Sequence, residues 1–133
     1  MTVHFPIALI LVGFIVDMIG LMNKKESWLI KAGFYLMLLG TIFAIAAYIT
    51  GAFFTPELTG PKGVMEERHE LFAKLTLAVL LIGTGFRIFI VIKKLDQTTL
   101  KYIVFIFYAL ATVLIGITGF IGGTLVYDYM IKV

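Results

Sequence analysis

The side chains best suited to bind a metal in this sequence are its two histidines, His4 and His69. A neutral imidazole offers a nitrogen lone pair to a metal ion, and histidine is a common axial ligand of haem iron. The sequence contains no cysteine, which excludes disulfide bonds, thiolate metal sites and cysteine nucleophiles. It shows no nucleophile and base arranged as in hydrolases or transferases, so we do not expect an enzyme. The residue types therefore point first to metal or haem binding.

Four apolar runs must position these histidines. Hydrophobic residues make up 61% of the 133 residues and charged residues 14%, with a mean hydropathy of +1.06. A soluble domain of this length cannot bury so much apolar surface. Runs at about 5–22, 28–54, 71–92 and 102–127 are long enough to cross about 30 Å of hydrocarbon. The sequence predicts one all-α domain over 1–133, an integral membrane four-helix bundle.

The connections between the runs predict how the helices are arranged. Connections 23–27 and 93–99 are short, so consecutive helices are expected to be antiparallel neighbours. Connection 55–70 is longer and contains prolines and glycines, which predicts a turn-rich loop. His4 immediately precedes the first run and His69 the third. Because odd-numbered helices of such a bundle begin on the same side, both histidines should lie at one end, at similar depth.

The cations are concentrated at the opposite end of the predicted bundle. Six lysines lie in or beside the two short connections: Lys24, Lys25, Lys31, Lys93, Lys94 and Lys101. Four cations lie on the histidine side: Lys62, Arg68, Lys74 and Lys132. The positive-inside rule then places both termini outside the cytoplasm. The same pattern accounts for the pI near 9.2, so we expect a lipid bilayer as partner and no nucleic acid.

A haem between the two histidines needs apolar walls and room between helices. We expect Phe5 to flank the ring. Three glycines of the fourth run would make room for it: Gly119, Gly122 and Gly123. Arg68 is a candidate for meeting a propionate. The other candidates for the propionates are Lys62, Tyr127 and Tyr129.

Two histidines allow one bis-histidine site, so the expected cofactor is a single haem b. A pair of one histidine and one methionine, with Met1, Met65 or Met130, is a variant of the same site. Such a protein would transfer electrons at the extracytoplasmic side of the membrane. Its expected partners are a quinol and a periplasmic cytochrome or larger respiratory complex.

Two other interpretations stay open. Glu66 and His69 have the i, i+3 spacing of carboxylate-bridged di-iron bundles, but such sites need two of these motifs. A zinc or copper site from His4, His69 and one glutamate requires less. Alternatively, the chain is a cofactor-free scaffold or assembly subunit. In that case, glycines such as Gly119 and Gly123 pack against other helices, and the histidines are interfacial polar groups.

Asp17 and Arg87 are the two ionisable residues well inside apolar runs. Each lies a short distance from the lysine-rich end, so the two are expected at similar depth. Charges inside a bilayer are costly and usually face protein. The sequence therefore predicts a structural ion pair between the first and third helices.

The opening segment Val3-His4-Phe5-Pro6-Ile7-Ala8-Leu9 resembles the signature of an uncharacterised family of small prokaryotic membrane proteins. The similarity continues at Asp17, Thr50-Gly51, His69, Arg87 and Gly122-Gly123-Thr124-Leu125-Val126-Tyr127. The resemblance implies a four-helix domain in the prokaryotic plasma (inner) membrane, while the activity of that family is not settled. The arrangement is also loosely similar to four-helix membrane b-type cytochromes, which implies histidine ligation of haem and electron transport.

Overall fold

The computed structural model describes residues 3–54, 57 and 59–130, and the regular structure within them is helical. The helices are α1 (His4–Met22), α2 (Ser27–Phe54), α3 (Pro61–Ile92) and α4 (Leu100–Thr124), and α4 continues into a π-helical segment, Leu125–Met130. Each of the four α-helices is long and apolar enough to cross a membrane. The predicted all-α antiparallel membrane bundle is confirmed, and its orientation relative to the cytoplasm stays a prediction.

The four helices form a ring in which neighbours in sequence are neighbours in space. The most extensive contacts join α1 to α2 and α3 to α4, and α1–α4 and α2–α3 contacts close the ring. Consequently α1 and α3, which run parallel, face each other across the diagonal. The centre of the bundle is formed by Ile10, Met37, Leu80, Tyr108, Ala111 and Ile115.

Glycines allow α1 and α2 to approach each other closely. A Cβ added to Gly33 would lie 2.8 Å from the Cβ of Asp17, and one added to Gly40 would lie 2.5 Å from the Cδ1 of Ile10. Gly20 on α1 is equally crowded by α2. In a bilayer, where lipid is as apolar as leucine, close packing at small residues is a main source of helix association.

The interior of the bundle is more polar than its exterior. Among the residues that the structure describes, six polar or charged side chains are buried: Asp17, Thr41, Thr76, Thr84, Arg87 and Thr118. Large apolar side chains cover the outside, among them Phe53, Ile82 and Phe120. This distribution is expected where hydrocarbon surrounds the protein, because polar groups find partners only inside.

Threonine pairs link helices within that interior. The hydroxyls of Thr41 and Thr84 are 2.8 Å apart, joining α2 to α3, and those of Thr76 and Thr118 are 3.1 Å apart, joining α3 to α4. Thr41 donates its own proton to the carbonyl of Met37, so Thr84 must be the donor in the first pair. In the second pair each hydroxyl donates to a carbonyl of its own helix, Thr76 to Phe72 and Thr118 to Leu114, so the two oxygens are in polar contact between the helices.

The third helix begins earlier than the sequence analysis predicted. The expected loop at 55–70 is wrong for 61–70, which is helical, so α3 starts at Pro61 rather than near 71. Gly60 adopts a positive φ of 71°, and Pro61 takes the first helical position, where its missing N–H costs nothing. As a result, His69 lies inside α3, about 12 Å along the axis from its first residue.

Replacing Gly33 by alanine should destabilise the bundle by about 1–3 kcal/mol, because the new methyl group would push against Asp17. The matched control is Gly51→Ala on the same helix, where nothing lies within 4 Å of an added Cβ. Thermal unfolding in detergent measures both. Equal melting temperatures for the two variants would show that Gly33 has no role in this contact.

Candidate functional site

A hydrogen bond to the neighbouring helix selects one tautomer of neutral His69. Its Nδ1 lies 3.2 Å from the carbonyl oxygen of Thr118 on α4, and its ring is half-buried. A carbonyl oxygen can only accept, so Nδ1 carries the proton and donates. The lone pair of neutral His69 is therefore on Nε2. Histidines that bind metals are commonly oriented in this way, with the other ring nitrogen donating to a backbone carbonyl.

The ring of His69 lies directly against the backbone of α4 at Gly122. A Cβ added to Gly122 would lie 3.0 Å from the Cε1 atom of His69. At Gly119 the same construction would place a Cβ 2.9 Å from the Cδ1 atom of Ile7 on α1. Both glycines thus make room for protein side chains, so the expected haem-sized gap is not present at these two positions.

The depth of His4 follows from these α4 contacts. Ile7 meets Gly119, and His4 precedes Ile7 by one helical turn. Gly122 follows Gly119 by three residues, as Ile7 follows His4. Because α1 and α4 are antiparallel, moving three residues from Ile7 to His4 or from Gly119 to Gly122 leads about 4.5 Å toward the same end of the bundle. His4 therefore lies at the level of Gly122, where the ring of His69 is packed. Its own side chain is exposed at the first residue of α1.

The other expected haem contacts do not gather around His69. The ring of Phe5 is 62% exposed and stacks on Phe43 of α2, with centroids 5.6 Å apart. Arg68 is exposed. Gly123 has nothing within 4 Å of an added Cβ and borders an outward-facing groove together with Phe120.

Some alternative ligands can be located and others cannot. Met65 and Lys62 are half-buried on α3. Tyr127 is exposed in the π-helical segment. Met1 lies outside the described residues, and the side chains of Tyr129 and Met130 are likewise not described.

A metal site with three protein ligands is not assembled within the described part of the chain. Among residues 3–54, 57 and 59–128, no group of three or more histidine, aspartate or glutamate side chains is close enough to hold a metal ion. This finding disfavours both the di-iron interpretation of Glu66 and His69 and the zinc or copper site with His4. A two-histidine site does not need such a cluster.

The predicted ion pair between Asp17 and Arg87 is present at the lysine-rich end. Arg87 donates from Nη1 to Oδ2 of Asp17 at 3.1 Å and from Nη2 to Oδ1 at 2.7 Å. Its Nη2 also donates to the carbonyl of Ile30 at 3.2 Å. Asp17 is fully buried and Arg87 nearly so, so the pair joins α1, α2 and α3 inside the bundle.

Tyr108 is a buried polar residue that the sequence analysis missed. Its side chain is fully buried, and within the described structure its hydroxyl has no hydrogen-bond partner. A Cβ on Gly13 would collide with this hydroxyl, so Gly13 provides the space that it occupies. A tyrosine inside an apolar run carries little signal, because the same residue is equally common at the lipid surface.

Comparison with known proteins identifies the family of this chain. A family model described as a predicted membrane protein, DUF2231, matches residues 1–133. The chain belongs to this family. No curated protein and no solved structure gives a significant match.

Removing one partner of the buried ion pair should be strongly destabilising. Asp17→Asn leaves the guanidinium of Arg87 uncompensated, which typically costs about 3–5 kcal/mol. The control is Glu70→Gln, which breaks a surface pair with Lys74. Both side chains of that pair are more than half exposed, so this change should lower the melting temperature only slightly. Melting temperatures in detergent measure both, and a loss no larger for Asp17→Asn than for the control would contradict a structural role.

Proposed function

We propose that this DUF2231 membrane protein is a haem-binding electron-transfer subunit, with His4 and His69 as the axial ligands of one haem b. The observation that carries the proposal is the state of His69. Its Nδ1 donates to the carbonyl of Thr118, which leaves Nε2 as the free lone pair. The second support is that His4 begins α1 at the level of Gly122, against which the His69 ring packs.

In this proposal each residue has a limited task. Thr118 holds the His69 ring in one orientation, and Gly122 allows the ring to pack against α4. His4, which is exposed at the start of α1, would supply the second axial ligand. A bound haem would supply one-electron oxidation and reduction. The surrounding apolar helices would exclude water and so influence its potential.

The charge distribution supports an extracytoplasmic position for the proposed site. In the sequence, six lysines lie in or beside the two short connections, and four Lys or Arg residues belong to the side of the predicted bundle that carries the histidines. The positive-inside rule therefore favours an extracytoplasmic position for His4 and His69. We propose the prokaryotic plasma membrane as the location. The matching partners are a quinol and a periplasmic cytochrome or larger respiratory complex.

The absorption spectrum of the purified protein tests the haem proposal. Protein produced under haem-replete conditions should show a Soret band and, after reduction, an α-band. His4→Ala and His69→Ala should each lose most of the bound haem, because each removes one axial ligand. The control is Glu67→Gln, two residues before His69 and exposed, which should bind haem as the wild type does. Colourless folded wild-type protein, or full haem retention in both histidine variants, would overturn the assignment.

A cofactor-free scaffold subunit is the second candidate, and outward-facing glycines favour it. Gly116 and Gly123 lie on one face of α4, and neither has anything within 4 Å of an added Cβ. Phe120 lies between them on the same face and is 77% exposed. Small residues on a lipid-facing surface allow another helix to approach closely. This surface could therefore pack against a further membrane helix.

Native mass spectrometry of detergent-extracted protein tests the scaffold candidate. If α4 packs against a second copy, the wild type should give a defined oligomer, and Gly116→Leu with Gly123→Leu should convert it to monomer by filling the space for the approaching helix. The matched control is Gly85→Leu, which also faces open space but lies on α3. A monomeric, haem-containing wild type would reject this candidate in favour of the first.

A further inference from the structure

A cavity of about 190 Å³ lies at the lysine-rich end of the bundle, far from both histidines. At about 30 Å³ per water in the liquid, it has room for about six waters or a small polar group. Its polar lining consists of Lys24, Ser27, Arg87, Asp96, Gln97 and Lys101. These residues come from both short connections and from the adjoining ends of the helices.

The lining carries an excess of positive charge. Arg87 is neutralised by Asp17, but Lys24 and Lys101 have no carboxylate within ion-pair distance in the described part of the chain. The one acidic residue in the lining is Asp96. Lys24 and Lys101 thus contribute two cations to a lining with one carboxylate, and the Lys101 ammonium lies over the ring of Tyr102, 5.3 Å from its centroid. The net positive charge of the lining favours an anion.

Two helix ends add to this preference. α2 begins at Ser27 and α4 begins at Leu100, and both of these N-termini lie at the lysine-rich end. No side chain caps the N-terminus of α4. The backbone N–H groups of Leu29, Lys101 and Tyr102 in these first turns already donate to carbonyls of the preceding connections, so it is the positive ends of the helix dipoles that add to the attraction for an anion.

The positive-inside rule alone does not account for this arrangement. It requires lysines on one side of the membrane, but not their convergence on one cavity. Lys25 and Lys93 satisfy the rule but do not line the cavity, whereas Lys24 of the first connection, which is also exposed, and Lys101 in the first turn of α4 do line it. Arg87 also lines it, and a guanidinium keeps further N–H groups after those given to Asp17 and Ile30.

We propose that this cavity binds a phosphate group. Lys24 and Lys101 would provide the charge, and Ser27 and Gln97 would donate hydrogen bonds to the phosphate oxygens. The phosphate belongs either to an acidic phospholipid headgroup, which the surrounding bilayer supplies, or to a free phosphate ion. The chemistry of recognition is the same for both sources.

Thermal unfolding with two probes tests the site and distinguishes the sources. The full-length protein is measured in neutral detergent at constant ionic strength, with inorganic phosphate replacing chloride, or with phosphatidylglycerol replacing phosphatidylcholine. At least one probe should raise the melting temperature by about 4–8 °C at saturation. A shift with inorganic phosphate identifies a free ion, and a shift with phosphatidylglycerol alone identifies a lipid headgroup.

Charge-matched variants separate the cavity from general surface charge. Lys24→Gln with Lys101→Gln should abolish the shift, whereas Lys25→Gln with Lys93→Gln should retain it, although both remove two positive charges from the same end. The proposal is overturned if neither probe stabilises the wild type, or if both double variants lose the shift equally. If the cavity variant does not fold, native mass spectrometry of the wild type decides. Binding of phosphatidylglycerol or phosphate in preference to phosphatidylcholine supports the site, and equal retention overturns it.

Discussion

The buried pair of Asp17 and Arg87 is the interaction on which the rest of the bundle depends. An isolated charge in hydrocarbon is very costly, so each side chain requires the other, and the two-point geometry leaves little freedom in their relative position. The pair fixes α1 against α3 across the diagonal, and the bond from Arg87 to the carbonyl of Ile30 includes α2. Because the helices are rigid rods, this contact at one end also limits how far His4 and His69 can move relative to each other at the other end.

Close approach of α1 and α2 is what allows this pair to form in a dry interior. Gly33 lies against Asp17, so no side chain from α2 separates the carboxylate from the arginine. Elsewhere the threonine pairs give α3 further fixed contacts, with α2 through Thr84 and with α4 through Thr76. The result is an apolar core that also holds paired polar groups, inside an apolar exterior. This arrangement suits a bilayer because the hydrophobic effect cannot hold the helices together there.

The two ends of the bundle offer different chemistry. At one end, the Nδ1 of His69 donates to the carbonyl of Thr118, and His4 is exposed at the same level. At the other end, lysines and helix N-termini surround a cavity suited to an anion. The interior between them holds Tyr108, whose hydroxyl has no partner among the described residues.

The sequence alone determined the four spans, their antiparallel order, the common end of the two histidines and the pairing of Asp17 with Arg87. These depend on hydropathy and on counting helical turns, both of which can be read along the chain. It did not locate the start of α3, because Gly60 and Pro61 are typical of loops as well as of a helix start. Only the tertiary structure decided that Gly119 and Gly122 face Ile7 and His69 while Gly123 faces outward. The reason is physical: these helices are apolar on nearly every side, so their sequences do not specify how each is rotated about its axis, and packing does.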